Sequence, residues 1–117
     1  MRPALFHITT AEAWARAKSQ GEYRAATLDT EGFIHLSGEH QWLRTAERFF
    51  RGQRGLVLLA IRADRLRAQV RFETADGEQF PHLYGPLNLD AVVEAFPLPV
   101  GADGAIGLPP ALERLLR

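Results

Sequence analysis

The chain has 117 residues, no cysteine, and equal numbers of basic and acidic residues, fourteen of each. That length suits one domain, 1–117, and 46% hydrophobic content suffices for one core that buries roughly two-thirds of the unfolded surface. Disulfides, thiol nucleophiles and Cys-based zinc sites are excluded, and formal neutrality gives no strong nucleic-acid signal and no attraction to an anionic membrane. No apolar run approaches the roughly 20 residues of a membrane span, and no signal-peptide segment opens the chain, so a cytoplasmic protein is expected.

Ala4 to Ile8 reads as a short buried strand. Thr9 and Glu12 then form a capping box for a helix over Ala11 to Ser19, with Ala13, Trp14 and Ala17 inward and Gly21 as its stop. Tyr23 to Leu28 fits a short strand or a loop, Asp29 to Gly32 a turn, and Phe33 to Leu36 a second strand. Ser37 is placed to cap the next helix. Trp42, Ala46, Phe49 and Phe50 recur at helical spacing as its core face, and Gly52 ends it. Leu56 to Ile61 is continuously apolar and reads as a central strand buried on both faces.

Asp64 to Leu66 suits a helical turn. Val70 and Phe72 alternate with Arg71 and Glu73, the pattern of a half-buried strand with Phe72 inward. Asp76-Gly77 is a turn signal, with the next strand from about Gln79. Two prolines and a glycine exclude a regular central strand across the whole of Phe80 to Leu87. Ala91 to Phe96 is a last strand, Gly101 to Gly107 a loop, and Pro109 to Leu116 a short helix. The order is α+β: two principal helices on a small, split or strongly curved, mainly antiparallel sheet.

Two segments repeat one pattern. In Leu5-Phe6-His7-Ile8-Thr9 and Phe33-Ile34-His35-Leu36-Ser37, two apolar residues precede a histidine and a hydroxyl residue follows two places later. Strand alternation sends His7 with Thr9, and His35 with Ser37, to one face each. Such polar spots on apolar walls suggest one shared pocket for a small-molecule or nucleotide ligand. Imidazole suits it, since it donates, accepts or carries a proton near neutral pH. His82 and Tyr84 share a side in the Pro/Gly-rich segment, and Glu31 and Glu73 are the nearest carboxylates. Arg48 is expected in a salt bridge. His40 is expected on the exposed first turn of the second helix. No HExxH spacing occurs and no metal site is expected.

Together, Phe6-His7-Ile8-Thr9, Gly21-Glu22-Tyr23, Glu31 to Ser37, Arg48-Phe49-Phe50, Glu73 and Phe80 to Leu87 resemble the bacterial family called domain of unknown function 952. The match covers about residues 4–98; the tail 99–117 lies outside it. The resemblance implies a fold similar to the ADP-ribosyltransferase superfamily, with a NAD-binding cleft. It implies His7, His35 and Glu73 as catalytic candidates and Thr9, Ser37, His82 and Tyr84 as ligand-binding ones, NAD being the implied cofactor. Two rivals stand beside this NAD-dependent transferase: a non-catalytic nucleotide or small-ligand binding module, and a two-histidine phosphodiesterase. The 27 residues between Thr9 and Ser37 are few for the two lobes of the latter. Oligomeric state is not legible.

Overall fold

A computed structural model describes residues 2–116. The elements are β1 (Leu5–Thr10), α1 (Ala11–Gln20), β2 (Glu22–Tyr23), α2 (Ala26–Thr30), β3 (Ile34–His35), β4 (Ser37–Gly38), α3 (Trp42–Phe50) and β5 (Leu56–Ile61). They continue with β6 (Gln69–Ala75), β7 (Glu78–Tyr84), β8 (Leu87–Asn88), β9 (Val92–Pro97) and α4 (Pro110–Leu115), with short 3₁₀ turns at Ala63–Arg65 and Leu89–Ala91. The class is α+β. Three antiparallel sheets form, ordered β4-β1-β5-β9, β3-β7-β6 and β2-β8.

The apolar run Leu56 to Ile61 becomes the central strand β5, and all six residues are buried. Alternation splits them between two cores. Val57, Leu59 and Ile61 join Leu5, Tyr23, Ile34 and Leu83 on one face; Leu56, Leu58 and Ala60 join Phe6, Ile8, Trp42 and Ala46 on the other. Helix α3 and α4 thus cover one face of the four-stranded sheet. The three-stranded sheet and α1 cover the other.

Several local expectations shift. β1 runs two residues past Ile8, where its apolar pattern ends, so the helix cap is Thr10, whose hydroxyl accepts from Ala13 N–H at 3.0 Å. Thr9 stays in the strand, paired with Val57. Thr10→Ala should therefore cost about 1 kcal/mol in urea unfolding, the usual worth of an N-cap hydroxyl. Ser37 caps no helix. It pairs with Phe6 in β4, and α3 starts at Trp42 after Gln41. The segment Tyr23 to Leu28 divides between β2 and the short helix α2, which takes in Asp29 and Thr30 of the expected turn.

Two aromatic positions are not core. Phe72 is 59% exposed because nothing covers the edge strand β6 beyond Val70, which packs on Leu83 across the ladder. Phe49, next to last in α3, is 63% exposed, and the helix buries Trp42 and Ala46 instead. The Asp76-Gly77 turn forms as expected, with φ of 53° and 81°, and joins β6 to β7.

Pro81 lies inside β7, the central strand of its sheet. The Pro81 carbonyl accepts from Leu36 N–H at 3.0 Å, so the proline nitrogen faces the same side. There β3 has already ended at His35, and the absent donor interrupts no ladder. Tyr84 ends the strand before Gly85-Pro86.

Candidate functional site

The cleft begins where two sheets part. β1 pairs with β5 through all six residues, but with β4 only at Leu5 and Phe6. In an antiparallel ladder, successive residues direct their N–H and C=O to opposite neighbours. Ala11 N–H donates to Gly55 O at 2.8 Å and so sets the phase: His7 and Thr9 bond toward β5, Phe6 and Ile8 toward β4. Past the pair Phe6↔Ser37, no strand residue meets Ile8. The chain that would have continued the ladder crosses instead at Leu36 into the other sheet, where His35 pairs with His82.

His7 holds this junction. Its Nδ1–H donates to the His35 carbonyl at 2.6 Å, taking an acceptor that a continued ladder would have offered to backbone. Nε2 lies 2.8 Å from the Tyr23 hydroxyl, which lies 3.0 Å from Thr9 Oγ1. Burial lowers the His7 pKa to about 4, so the ring is neutral at physiological pH. A neutral ring that donates at Nδ1 accepts at Nε2. Tyr23 therefore gives its proton to His7, and Thr9 donates to the tyrosine oxygen. Burial also raises the Tyr23 pKa, which keeps that hydroxyl a donor.

His82 is held differently. Its Nδ1–H donates to Glu73 Oε1 at 2.8 Å, and the Tyr84 hydroxyl donates to the same oxygen. The bond from Tyr84, and then that from His82, hold the Glu73 pKa below the usual carboxylate range, and the bond to Glu73 raises that of Tyr84. The Phe33 ring stacks on His82 with centroids 4.0 Å apart and planes 15° from parallel. The Arg71 guanidinium lies 4.6 Å from the centre of the Tyr84 ring. The His82 side chain is 8% exposed, and its Nε2 has no hydrogen-bond partner among the described residues. No buried side-chain nitrogen or oxygen in those residues lacks a partner, so Nε2 reaches solvent.

His35 stands opposite. Its Nε2 is 3.2 Å from both oxygens of Glu31, and its ring meets His82 edge-to-face at 5.3 Å. Two imidazoles, each backed by its own carboxylate, thus face one another across a cross-strand pair. A carboxylate on one ring nitrogen fixes the tautomer and leaves the other nitrogen for a reacting group.

Both rings line a cleft of about 220 Å³. Phe6, Ile8, Leu36, Phe49, Phe50 and Phe80 form its apolar wall, and Ser37, Thr45 and Asp76 its other polar points. Ser37 Oγ is 3.5 Å from Thr45 Oγ1, and Asp76 is paired with Arg48 at 2.8 Å.

Among the sequence candidates, His35, His82 and Ser37 therefore meet in the cleft. His7 also borders it, with both nitrogens occupied. Thr9 lies behind His7, and Glu73 and Tyr84 lie behind His82. His40 is exposed in the turn before α3. Tyr23, Phe33 and Phe49 are added by the structure. They belong to the Gly21-Glu22-Tyr23, Glu31 to Ser37 and Arg48-Phe49-Phe50 motifs, which gave a signal without a role in the site. Among the described residues no cluster of three or more histidines and carboxylates could hold a metal ion, and no helix is long and apolar enough to cross a membrane.

The model of the family described as "Protein of unknown function (DUF952)" matches residues 8–95. The crystal structure of protein CC0527 from Caulobacter crescentus is 37% identical, with a TM-score of 0.84 over 97% of this chain and 98% of that one. The solution NMR structure of CC0527 is 38% identical, with a TM-score of 0.77 over 96% of each chain. No curated protein matches. With the family model spanning most of the chain and a similar fold over nearly its whole length, this protein belongs to the DUF952 family.

Proposed function

We propose that the cleft binds one small ligand and moves a proton on it, with His82 as the general acid or base and His35 as the second imidazole. The observation that carries this reading is the free Nε2 of His82 at an apolar cleft, with Nδ1 fixed by Glu73. A ring whose tautomer is set by a carboxylate and whose rotation is blocked by Phe33 needs little reorganisation before proton transfer. Glu73 serves the histidine and does not line the cleft. His7 is a positioning residue, since it has no free nitrogen and is neutral.

An ADP-ribosyltransferase-like arrangement is supported by two antiparallel sheets that diverge around a cleft beside a first-strand histidine. NAD is then the candidate nucleotide. About 220 Å³ admits one ring of it, below the span of roughly 300–1,000 Å³ of sites that enclose a drug-sized ligand. The phosphates would lie outside. The phosphodiesterase reading changes partners: the two histidines that face each other are His35 and His82, since His7 is committed to the His35 carbonyl.

The test is titration of ¹⁵N-histidine-labelled protein with NAD, read at His82 Nε2, with nicotinamide assayed in parallel. A shift with nicotinamide release supports transfer. A shift without release supports a binding module. No shift at millimolar NAD removes NAD from the proposal, and a His82→Ala protein that binds and turns over ligands like the wild type removes the acid–base role.

A further inference from the structure

The charges around the cleft specify the class of ligand group it takes, an inference that rests on the cleft being the binding site. No lysine or arginine lines it. Of the four titratable groups in its wall, three have a side chain of opposite type beside them, His35 with Glu31 at 3.2 Å, His82 with Glu73 at 2.8 Å and Asp76 with Arg48 at 2.8 Å, and the fourth, His7, is buried and neutral. An anionic group entering here would leave water for an apolar wall without gaining an uncompensated cation, an unfavourable exchange.

An uncharged apolar group meets the opposite situation. Seven apolar side chains line the cleft, Ala75 among them, and four are phenylalanines. Phe49 leaves 63% of its surface in water at the cleft's edge. A ligand seated against Phe49 removes that surface from water, a favourable change. The volume holds one ring or a short chain. The polar part of the lining includes the pair of imidazoles, and Nε2 of His82 has no partner among the described residues.

We infer that the group bound in this cleft is an uncharged aromatic ring or short aliphatic chain bearing one hydroxyl or carbonyl, seated under Phe49 with its oxygen at His82, and that the cleft rejects carboxylates and phosphates. In any larger ligand, the anionic part stays outside.

Three probes test this at pH 7.5: benzyl alcohol, benzoate, which has the same ring, and inorganic phosphate. Binding is followed by NMR at the Phe49 and Phe80 rings and the Ser37 amide. Benzyl alcohol should saturate these shifts, and benzoate and phosphate should bind at least about tenfold more weakly, because neither can offset the loss of its hydration. Phe49→Ala should weaken benzyl alcohol about fivefold through lost apolar contact, with an unchanged unfolding midpoint because the ring is exposed. The inference is overturned if an anionic probe binds as tightly as the alcohol. It is equally overturned if the alcohol shifts only residues outside the cleft, if Phe49→Ala has no effect, or if no probe binds. The proton-transfer reading fails separately, on the tautomer of ligand-free His82.

Discussion

Lowering the pH from 7 to 4 is expected to remove about 3 kcal/mol of folding stability through His7 alone, since its pKa falls from 6.5 in the unfolded chain to about 4 in the fold. The sign follows from proton uptake. Below pH 6.5 the unfolded chain protonates this histidine and the native state does not, so unfolding gains protons and becomes easier. The loss accumulates between pH 6.5 and 4 and stops once both states are protonated. Its structural cause is visible: a proton on Nε2 would face the Tyr23 hydroxyl, which is donating to it, in a site walled from water.

The comparison is His7→Gln. At pH 7.5 it should be less stable by about 2 kcal/mol, because the His35 carbonyl and the Tyr23–Thr9 pair lose a partner shaped to reach both. Between pH 6.5 and 4.5 its urea midpoint should fall less than that of the wild type. Carboxylates held low in the native state, such as Glu73 and Glu78, affect both proteins alike and mainly at lower pH. Parallel acid profiles for the two proteins would show that His7 is not the buried neutral base described here.

What the sequence carried well was whatever depends on neighbours along the chain. Leu56 to Ile61 announces a buried strand because its length, flanking glycine and charge admit little else. Asp76-Gly77 announces a hairpin because both residues tolerate positive φ. What it carried poorly depends on partners far away. Nothing local says that Phe33 to Ser37 must break at Leu36 and serve two sheets, because each half has a good strand pattern. The repeat His-x-hydroxyl looked symmetric for that reason. In space one copy is sealed by Tyr23 and the other is turned outward to Glu31. Pro81 looked like an obstacle to a central strand. It is harmless only because β3 is two residues long, a fact of register. The partner of His82 was equally hidden. Glu73 follows Phe72 on an edge strand and reads as a solvated carboxylate until the register sets it diagonally across from His82 and Tyr84.

Glu73→Gln is the substitution that separates a catalytic His82 from a merely well-packed one. The amide keeps the shape of the carboxylate but brings its own donors. Its one oxygen must now serve both His82 Nδ1–H and the Tyr84 hydroxyl, while its NH₂ can instead donate to Nδ1 of the Nε2–H tautomer. The free protein should then show a mixture of His82 tautomers, against a single Nδ1–H form in the wild type, read from ring ¹⁵N shifts. Turnover of a substrate bound in the cleft, nicotinamide release from NAD included, should fall by about 10²–10⁴-fold, the range that a positioned general acid or base contributes. Binding should change far less, because Glu73 does not line the cleft. Tyr84→Phe is the control. It keeps the carboxylate and the Nδ1–H bond, lets the Glu73 pKa rise toward its ordinary value, and should leave the tautomer single and the rate within a few-fold of wild type. If Glu73→Gln retained both the single tautomer and the full rate, the carboxylate would be ornamental to His82, and the cleft would be a binding module whose histidines only shape its wall.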